Sequence, residues 1–360
     1  MHRLGKYGTA VATLLFLACK SHTAQPANTN ANKITLLIDS CFTKQNCAGI
    51  LVVYNDSVAD KVYTKGYADA ATKMPFNINT IFEAGSITKT FTAYILQAIL
   101  MEKNISDTTS IVAYLPDTLR QNPSLKHITF LNLLNHTSGL PRLPDNLLIE
   151  SNNDQPYQNY SQAMLFGYLK NASITKSNKN EYSNLGFALA GILAAHISKQ
   201  PFETLLHTYL YKALNIEQVE KLLPNNKNKA TGYLNCNTIA PYLNMNSMYP
   251  AGGIKINAKQ MCTYLNQISN PTTKRIDSIV TQLLKPTISL SKKIRVAKAW
   301  HTYELPSKPI IYWHNGGTYG FSTFVGFVAG TNKKVVVVIN KFNANEAADY
   351  IGITILKMLL

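Results

Sequence analysis

Acidic residues are scarce in this chain: 19 Asp and Glu face 35 Lys and Arg over 360 residues, a formal net charge of +16. A basic surface attracts polyanions. The lysines are scattered, however, and no nucleic-acid-binding motif accompanies them, which argues against a DNA- or RNA-binding role built on charge. Envelope phosphates, anionic lipid headgroups and simple solubility are left as reasons for the excess. Metal-binding patterns are also missing. The five cysteines and eight histidines show no zinc-site spacing, and no His-Glu-x-x-His occurs. No internal apolar run reaches the roughly 18 residues that a membrane span needs. Repeats and Pro/Gly linkers are absent too, so one large domain is expected rather than two joined by a spacer. A hydrophobic content of 46% is enough for a sizeable core.

The first twenty residues are of another kind. A basic head, MHRLGKYG, precedes the apolar run TAVATLLFLA, and Cys19 follows at once. The run has the length of a signal-peptide core and is too short to span as a mature helix. It resembles a bacterial lipoprotein signal, whose cysteine becomes the lipidated first residue of the mature protein; Phe16 departs from the usual leucine. Residues 1–19 are therefore expected to be a signal ending in a lipid-bearing Cys19, with plain secretion as the alternative. The polar stretch 20–33 reads as a flexible tether. Export permits disulfides. Cys41 and Cys47 enclose the polar turn FTKQN and are expected to bridge locally, although Cys41, Cys47, Cys236 and Cys262 allow three pairings.

Periodicity divides the remainder. Residues 34–40 read as a short helix or strand. The β-branched run 48–56 reads as a buried strand, with 60–70 as its hairpin partner. From Ser86 the apolar residues Ile87, Phe91, Tyr94, Ile95 and Ala98 recur at helical spacing as far as about Glu102. Helices are expected at 128–135, 157–170, 185–198, 201–212 and 257–267. After Lys308 the runs PIIYWHN, GFSTFVGFVA and KKVVVVINK read as an antiparallel meander. A closing helix follows, with Asn343 or Asn345 as its N-cap and Glu346 in its first turn. The expected fold is thus α+β: one antiparallel sheet built from both chain ends (about 45–70 and 308–342), flanked by helices, with a mostly helical region (about 86–267) inserted between.

The motif Ser-x-x-Lys occurs at Ser86–Lys89, Ser173–Lys176 and Ser289–Lys292. A helical turn brings such a pair onto one face. Ser173 lies in a polar stretch where a solvated lysine keeps a pKa near 10.4 and is a poor base. Ser289 lies in an alternating, strand-like segment, where positions i and i+3 point to opposite faces. Ser86 alone opens an amphipathic helix behind an apolar stretch ending in glycine. There the helix dipole and free backbone N–H groups surround the hydroxyl, and a buried Lys89 could take its proton.

The segment FEAGSITKTFTA resembles the nucleophile motif of the serine β-lactamase and penicillin-binding-protein superfamily, in the class C branch. That branch also contains D-Ala-D-Ala carboxypeptidases, D-amino-acid peptidases and carboxylesterases. Its two further motifs follow in order, as Tyr182-Ser183-Asn184 in EYSNLGFALAG and His314-Asn315-Gly316 in WHNGGTYGFS. The segments ITFLNLLNHTSGLP and YPAGGIKINAKQM are similar as well, so the resemblance covers roughly residues 34–360. It implies a serine hydrolase forming an acyl-enzyme on Ser86, with Lys89 and Tyr182 sharing the proton and Tyr182 favoured as phenolate by neighbouring cations. It implies Asn184 as donor to a substrate carbonyl and as a support for Lys89, and an N-cap role for Asn184 besides. His314 is expected at the sheet edge facing the nucleophile. Gly316 and Gly317 would admit a substrate backbone, the N–H groups of Ser86 and Gly317 would hold the oxyanion, and His136 is structural. No metal or organic cofactor is required. Class C β-lactamases mostly carry lysine where this chain has His314. A neutral histidine there, with an exported location, favours D-amino-acid peptides, peptidoglycan among their sources, over β-lactams; esters remain open. A non-catalytic penicillin-binding sensor is the reading from another class. The only membrane contact expected is the lipid anchor.

Overall fold

The computed structural model describes residues 30–45, 49–148, 154–176, 179–218 and 226–360. The strands are β1 (Ile50–Asn55), β2 (Asp60–Lys65), β3 (Ile81–Glu83), β4 (Gly232–Asn235), β5 (Thr238–Ala240), β6 (Lys255–Asn257), β7 (Ile288–Ser289), β8 (Ile294–Val296), β9 (His301–Tyr303), β10 (Ile311–Gly317), β11 (Ser322–Val328) and β12 (Lys334–Ile339). The helices are α1 (Asn30–Gln45), α2 (Thr88–Glu102), α3 (Asp117–Arg120), α4 (Phe130–Leu134), α5 (Gln162–Asn171), α6 (Asn184–Ser198), α7 (Phe202–Leu205), α8 (Tyr249–Gly252), α9 (Ala258–Ser269), α10 (Lys274–Leu284) and α11 (Asn345–Leu359). A π-helical stretch, Leu206–Lys212, continues α7.

Eight strands form one antiparallel sheet in the order β2-β1-β12-β11-β10-β9-β8-β7. The first and last long strands lie side by side, with Ile50 opposite Ile339 and Asn55 opposite Lys334, so both chain ends build the sheet, as the sequence pattern implies. Strand alternation sends side chains to opposite faces. Ile50, Val52, Val335, Val337, Ile339 and Phe324 meet Ile34 and Ile38 of α1 and Ile351 and Ile355 of α11 in one core. Leu51, Val53, Val336, Val338, Val325 and Phe327 meet the helical region, including Phe91 and Trp300, in the other. Helix α11 lies so close to β11 that a Cβ on Gly352 would stand 2.1 Å from the Phe324 ring. Among the described residues no helix is long and apolar enough to cross a membrane.

Several boundaries differ from the sequence reading. Helix α1 begins at Asn30, inside the stretch assigned to the tether, because Ile34, Ile38 and Cys41 at helical spacing find an apolar groove beside α11. Cys41 is a free, buried thiol, which overturns the local bridge to Cys47; Cys262 is also free and buried, and Cys236 is disulfide-bonded. Cys19 and Cys47 lie outside the described residues. On its C-terminal side the sheet starts at Ile288, not 308: the alternating segment around Ser289 pairs as β7 and β8, and the short β9 joins them to β10. The inserted region holds two small ribbons, β3–β6 and β4–β5. Helix α5 starts at Gln162 rather than 157, where the Ser161 side chain accepts from Met164 N. Neither Asn343 nor Asn345 caps α11; the N-cap is Ala344, and the Asn345 amide is spent elsewhere.

Phe324 joins α11 to the sheet, is fully buried and stacks on Trp313 at 5.9 Å. Phe324→Ala is expected to cost about 3–5 kcal/mol of stability, read as a lower urea midpoint with an unchanged m-value.

Candidate active site

Strand β3 ends at Glu83 and hands the chain to Ala84 and a one-turn 3-10 helix, Gly85–Ile87, which runs straight into α2. Gly85 has φ +55°, and a Cβ there would lie 2.8 Å from Gly317 N. A Cβ on Gly316 would stand 2.1 Å from Ala84 O. The nucleophile turn and the end of β10 therefore meet backbone to backbone, an approach that glycine alone permits. Thr323 Oγ1 donates to Ala84 O at 3.0 Å and Asn345 Nδ2 to Gly316 O at 2.7 Å, which locks Ser86 beside Gly317.

Lys89 lies one helical turn on and is fully buried. Its Nζ stands 3.0 Å from Ser86 Oγ and donates to Ala251 O at 2.6 Å. Two more buried polar residues of α2 grip the same segment: Thr92 Oγ1 donates to Pro250 O at 2.6 Å, and Thr88 Oγ1 accepts from Ile254 N at 3.2 Å. Burial, and after it the charge of Arg142, holds the Lys89 pKa well below the ordinary lysine value. The support expected from Asn184 is supplied instead by the Ala251 carbonyl.

Tyr182 stands just ahead of α6, partly exposed, with Lys89 Nζ 4.8 Å and Arg142 Cζ 5.0 Å from its ring centroid. Burial pushes its phenol up to about 12, against a hydrogen bond with Ser86 and the charge of Arg142. It is a phenol at neutral pH, so the phenolate reading is reversed: desolvation outweighs the nearby cation. The N-cap is Ser183 rather than Asn184. Ser183 Oγ accepts from Gly186 N at 2.9 Å and donates to Pro141 O at 2.7 Å, while its own N–H donates to His136 Nδ1 at 3.0 Å. His136, buried and at φ +63°, packs its ring 4.5 Å from that of Tyr182. Burial first, then Lys89, pushes its pKa well down. Its role is to hold the Tyr182–Asn184 segment in place.

His314 departs most from expectation. Strand β10 lies between β9 and β11, not at a sheet edge. The ring is only 1% exposed, and its Nδ1 stands 2.5 Å from Asn315 O. Burial, with His301 and Lys89 adding to it, keeps the ring neutral. His314 therefore lies within the core, its ring 5.8 Å from that of His301.

Ser86 opens into a cavity of about 250 Å³. Its wall carries Arg142, Tyr157 and Asn184 on one side, Met245, Ala251 and Gly252 on another, and Gly317, Thr318 and Asn345 opposite. His314, Lys89 and Tyr182 are not among its lining residues. A larger cavity of about 540 Å³, between α6, α7 and Tyr249–Pro250, contains none of the motif residues. Among the described residues, no three His, Cys, Asp or Glu side chains are placed to hold a metal ion. Three participants escaped the sequence reading. Arg142 follows the segment ITFLNLLNHTSGLP directly, and the Ala251 carbonyl lies within YPAGGIKINAKQM; neither carries a signal of its own. Glu83, buried beside the nucleophile turn, accepts from Leu243 N at 2.6 Å and has its carboxyl pKa raised by burial, against hydrogen bonds from Thr318 and Leu243.

The Lys89 amine makes stability depend on pH. Its folded pKa is depressed, so between that value and the unfolded value near 10.4 the unfolded chain binds one more proton. Stability then rises with pH. Relative to Lys89→Met, the wild-type protein is expected to gain stability from pH 7 to pH 10, as measured by urea denaturation across that range.

A model of the Beta-lactamase family matches residues 38–357. The chain is 25% identical over 343 residues to a "Beta-lactamase" of Providencia stuartii, covering 85% of each. It is 29% identical over 234 residues to a "Beta-lactamase" of Escherichia coli K12, covering 63% of this chain and 58% of that one. A class C β-lactamase structure from Rhodobacter sphaeroides superposes with a TM-score of 0.75 at 20% identity, over 90% of this chain and 99% of the other. A "Beta-Lactamase/D-Alanine Carboxypeptidase" structure from Pseudomonas syringae gives 0.74 at 20% identity, over 91% and 98%. The two superpositions agree with the helix-flanked antiparallel sheet described above. With the family model spanning nearly the whole described chain, this protein belongs to the Beta-lactamase family of serine hydrolases.

Proposed function

We propose that the protein hydrolyses D-amino-acid peptides of the cell envelope, or related amides and esters, through an acyl-enzyme on Ser86. The observation that carries this reading is the 3.0 Å contact between Ser86 Oγ and a fully buried Lys89 amine. The Ala251 carbonyl can only accept, so Nζ donates there and its lone pair is free for the serine proton. Lys89 takes that proton as Oγ attacks the substrate carbonyl carbon. The N–H groups of Ser86 and Gly317 receive the oxyanion, each such donor being worth about 2.7–4 kcal/mol. Tyr182 gives its phenolic proton to the departing amine or alkoxide and recovers one from the Lys89 ammonium. Water then attacks the acyl-enzyme by the reverse transfers, returning the proton to Ser86. Asn184, on the cavity wall, donates to a substrate carbonyl.

His314 is buried and neutral and offers no fixed charge for a β-lactam carboxylate. The name "Beta-lactamase" borne by the Providencia stuartii relative keeps β-lactam turnover as the second reading. The proposed location is the cell envelope, with a lipid anchor on Cys19; it rests on the first twenty residues alone.

Intact-mass analysis of the protein beginning at residue 20, incubated with a penicillin and followed by peptide mapping, tests the mechanism. A stable adduct on Ser86 is expected, absent in Ser86→Ala and formed about 10²–10⁴ times more slowly in Lys89→Met. An adduct on Ser173 or Ser289, or p-nitrophenyl ester hydrolysis that survives Ser86→Ala, would overturn it. Penicillin hydrolysed without accumulating an adduct would replace the peptide reading by β-lactam turnover.

A further inference from the structure

The end of β10 is held by α11. Asn345 and Asp349 lie one turn apart on that helix and share a face. Asn345 Nδ2 donates to Gly316 O at 2.7 Å, and a Cβ on Gly317 would stand 3.0 Å from Asn345 Oδ1. Asp349 takes the residue before them: its Oδ2 accepts from Asn315 Nδ2 at 2.7 Å. Three consecutive residues of β10, ending in the proposed oxyanion donor Gly317, are thus seated on one helix face. The other carboxyl oxygen, Asp349 Oδ1, is buried and has no hydrogen-bond partner among the described residues. Such an oxygen is costly, so stability does not account for the carboxyl. Burial raises the Asp349 pKa to about 6; the Asn315 bond works against this and the charge of Glu346 adds to it. The elements packed against α11 supply no counter-charge among the described residues. Strand β11 carries no ionisable side chain. On β10, His314 points to the other face and is neutral, and burial lowers His301, stacked on Trp313, to about 4. Lys334 of β12 binds Asp60 at 2.7 Å, Asp39 of α1 is bound by Tyr63 and Lys65, and Lys33 and Lys44 of α1 are exposed. Lys357, farther along α11, lies over the Tyr303 ring.

We propose that Asp349 is a positioning residue for the hydrolase reaction: its carboxylate, acting through the Asn315 amide, holds the end of β10 where the Gly317 N–H meets the oxyanion. The inference rests on the hydrolase reading above and adds to it a group that does not line the Ser86 cavity. An oxyanion donor works only at the position the oxyanion takes, and a small displacement that starts far from the reacting atoms costs rate. An ionised carboxylate binds the amide by a charge-assisted bond, roughly twice as strong as a neutral one. Protonation places a proton on Oδ1, leaves Oδ2 a neutral acceptor and slackens the hold. The end of β10 is therefore fastened above about pH 6 and loosened below it. Glu346 sets where the change falls: its negative charge raises the Asp349 pKa, so removing it moves the change to lower pH.

Ser86-dependent hydrolysis of a p-nitrophenyl ester, followed from pH 5 to pH 8 and expressed per folded molecule, tests the role. Asp349→Asn keeps the size and an acceptor for Asn315 but carries no charge and does not titrate. At pH 8 its kcat is expected to be about tenfold below wild type with KM nearly unchanged, part of the 10²–10³ lost when an oxyanion donor is removed outright. The ratio of wild-type to variant rates cancels the Lys89 titration common to both, and it is expected to fall toward one below about pH 6. Glu346→Gln, which leaves Asp349 in place, is expected to move that midpoint to lower pH with the rate at pH 8 unchanged. In an Asn315→Ala background, adding Asp349→Asn is expected to change nothing further, because the path is gone. A ratio that does not vary with pH, a midpoint unmoved by Glu346→Gln, or an Asp349→Asn effect that survives Asn315→Ala would overturn the proposal. The Gly317 N–H gives a readout that needs no turnover. Glycine labelled with carbon-13 at the carbonyl and nitrogen-15 at the amide singles out the N–H groups of Gly253 and Gly317, each of which follows another glycine. The Gly317 resonance is expected to shift with the same midpoint in the wild type and to stay fixed in Asp349→Asn. If it does so and no ester is turned over, only the hydrolase reading fails. If the ester is turned over and the Gly317 resonance ignores Asp349, only the role of Asp349 fails.

Discussion

Taking a lysine amine out of water is costly, and much of the site is arranged around that one act. Lys89 gives up its hydration for Ser86 Oγ and the Ala251 carbonyl. Burial favours its uncharged form. A solvated lysine would be an ammonium and could not accept a proton, so the chemistry requires the burial and not merely the residue. The cost explains the polar inner face of α2. Thr88, Lys89 and Thr92 are all buried, and all three bind the segment 250–254. That segment in turn walls the cavity, so the atoms that make Lys89 a base also shape the space where substrate would lie.

The second constraint is the closeness of two backbones. Gly85 and Gly316 permit the nucleophile turn to press against β10, and side chains on either would collide with main-chain atoms. Around this contact the fold supplies fasteners from distant parts of the chain: Thr323 of β11, Asn345 at the head of α11, and Glu83 at the end of β3. The sheet thus serves as a plate on which Ser86, carried by the helical region, is held at a set distance from Gly317. Substrate contacts in this arrangement come from backbone on one side and from α6 and its preceding loops on the other.

Much of this was legible in the residues. The continuous β-branched run ILVVYN foretold a buried strand and KVVVVI a strand of the closing meander, and the structure sends their alternate side chains to two separate cores. The Ser86–Lys89 spacing foretold a shared helix face. The exposed surroundings of Ser173 and Lys176 agree with their dismissal. What was misread has a common cause. Asn345 looks like a cap until the Gly316 carbonyl, 29 positions away, takes its amide. Ser183 rather than Asn184 caps α6 because the Pro141 carbonyl and the His136 ring hold Ser183 in place. Strand β9, three residues long, is too short to carry a period.

The order of the motifs, the faces of helix and strand, and the family to which they point follow from the residues alone, because these depend on neighbours within a few positions. Tertiary structure alone decided the protonation states. Tyr182 is a phenol and Lys89 is held toward its uncharged amine because desolvation sums over atoms brought from α2, α6 and the loops between them. It alone decided that His314 is sealed inside the sheet, and that Arg142, unremarkable in its own segment, stands on the cavity wall as the one cation among the described residues. Burial and net field are properties of a place, and a place forms only when the chain has folded.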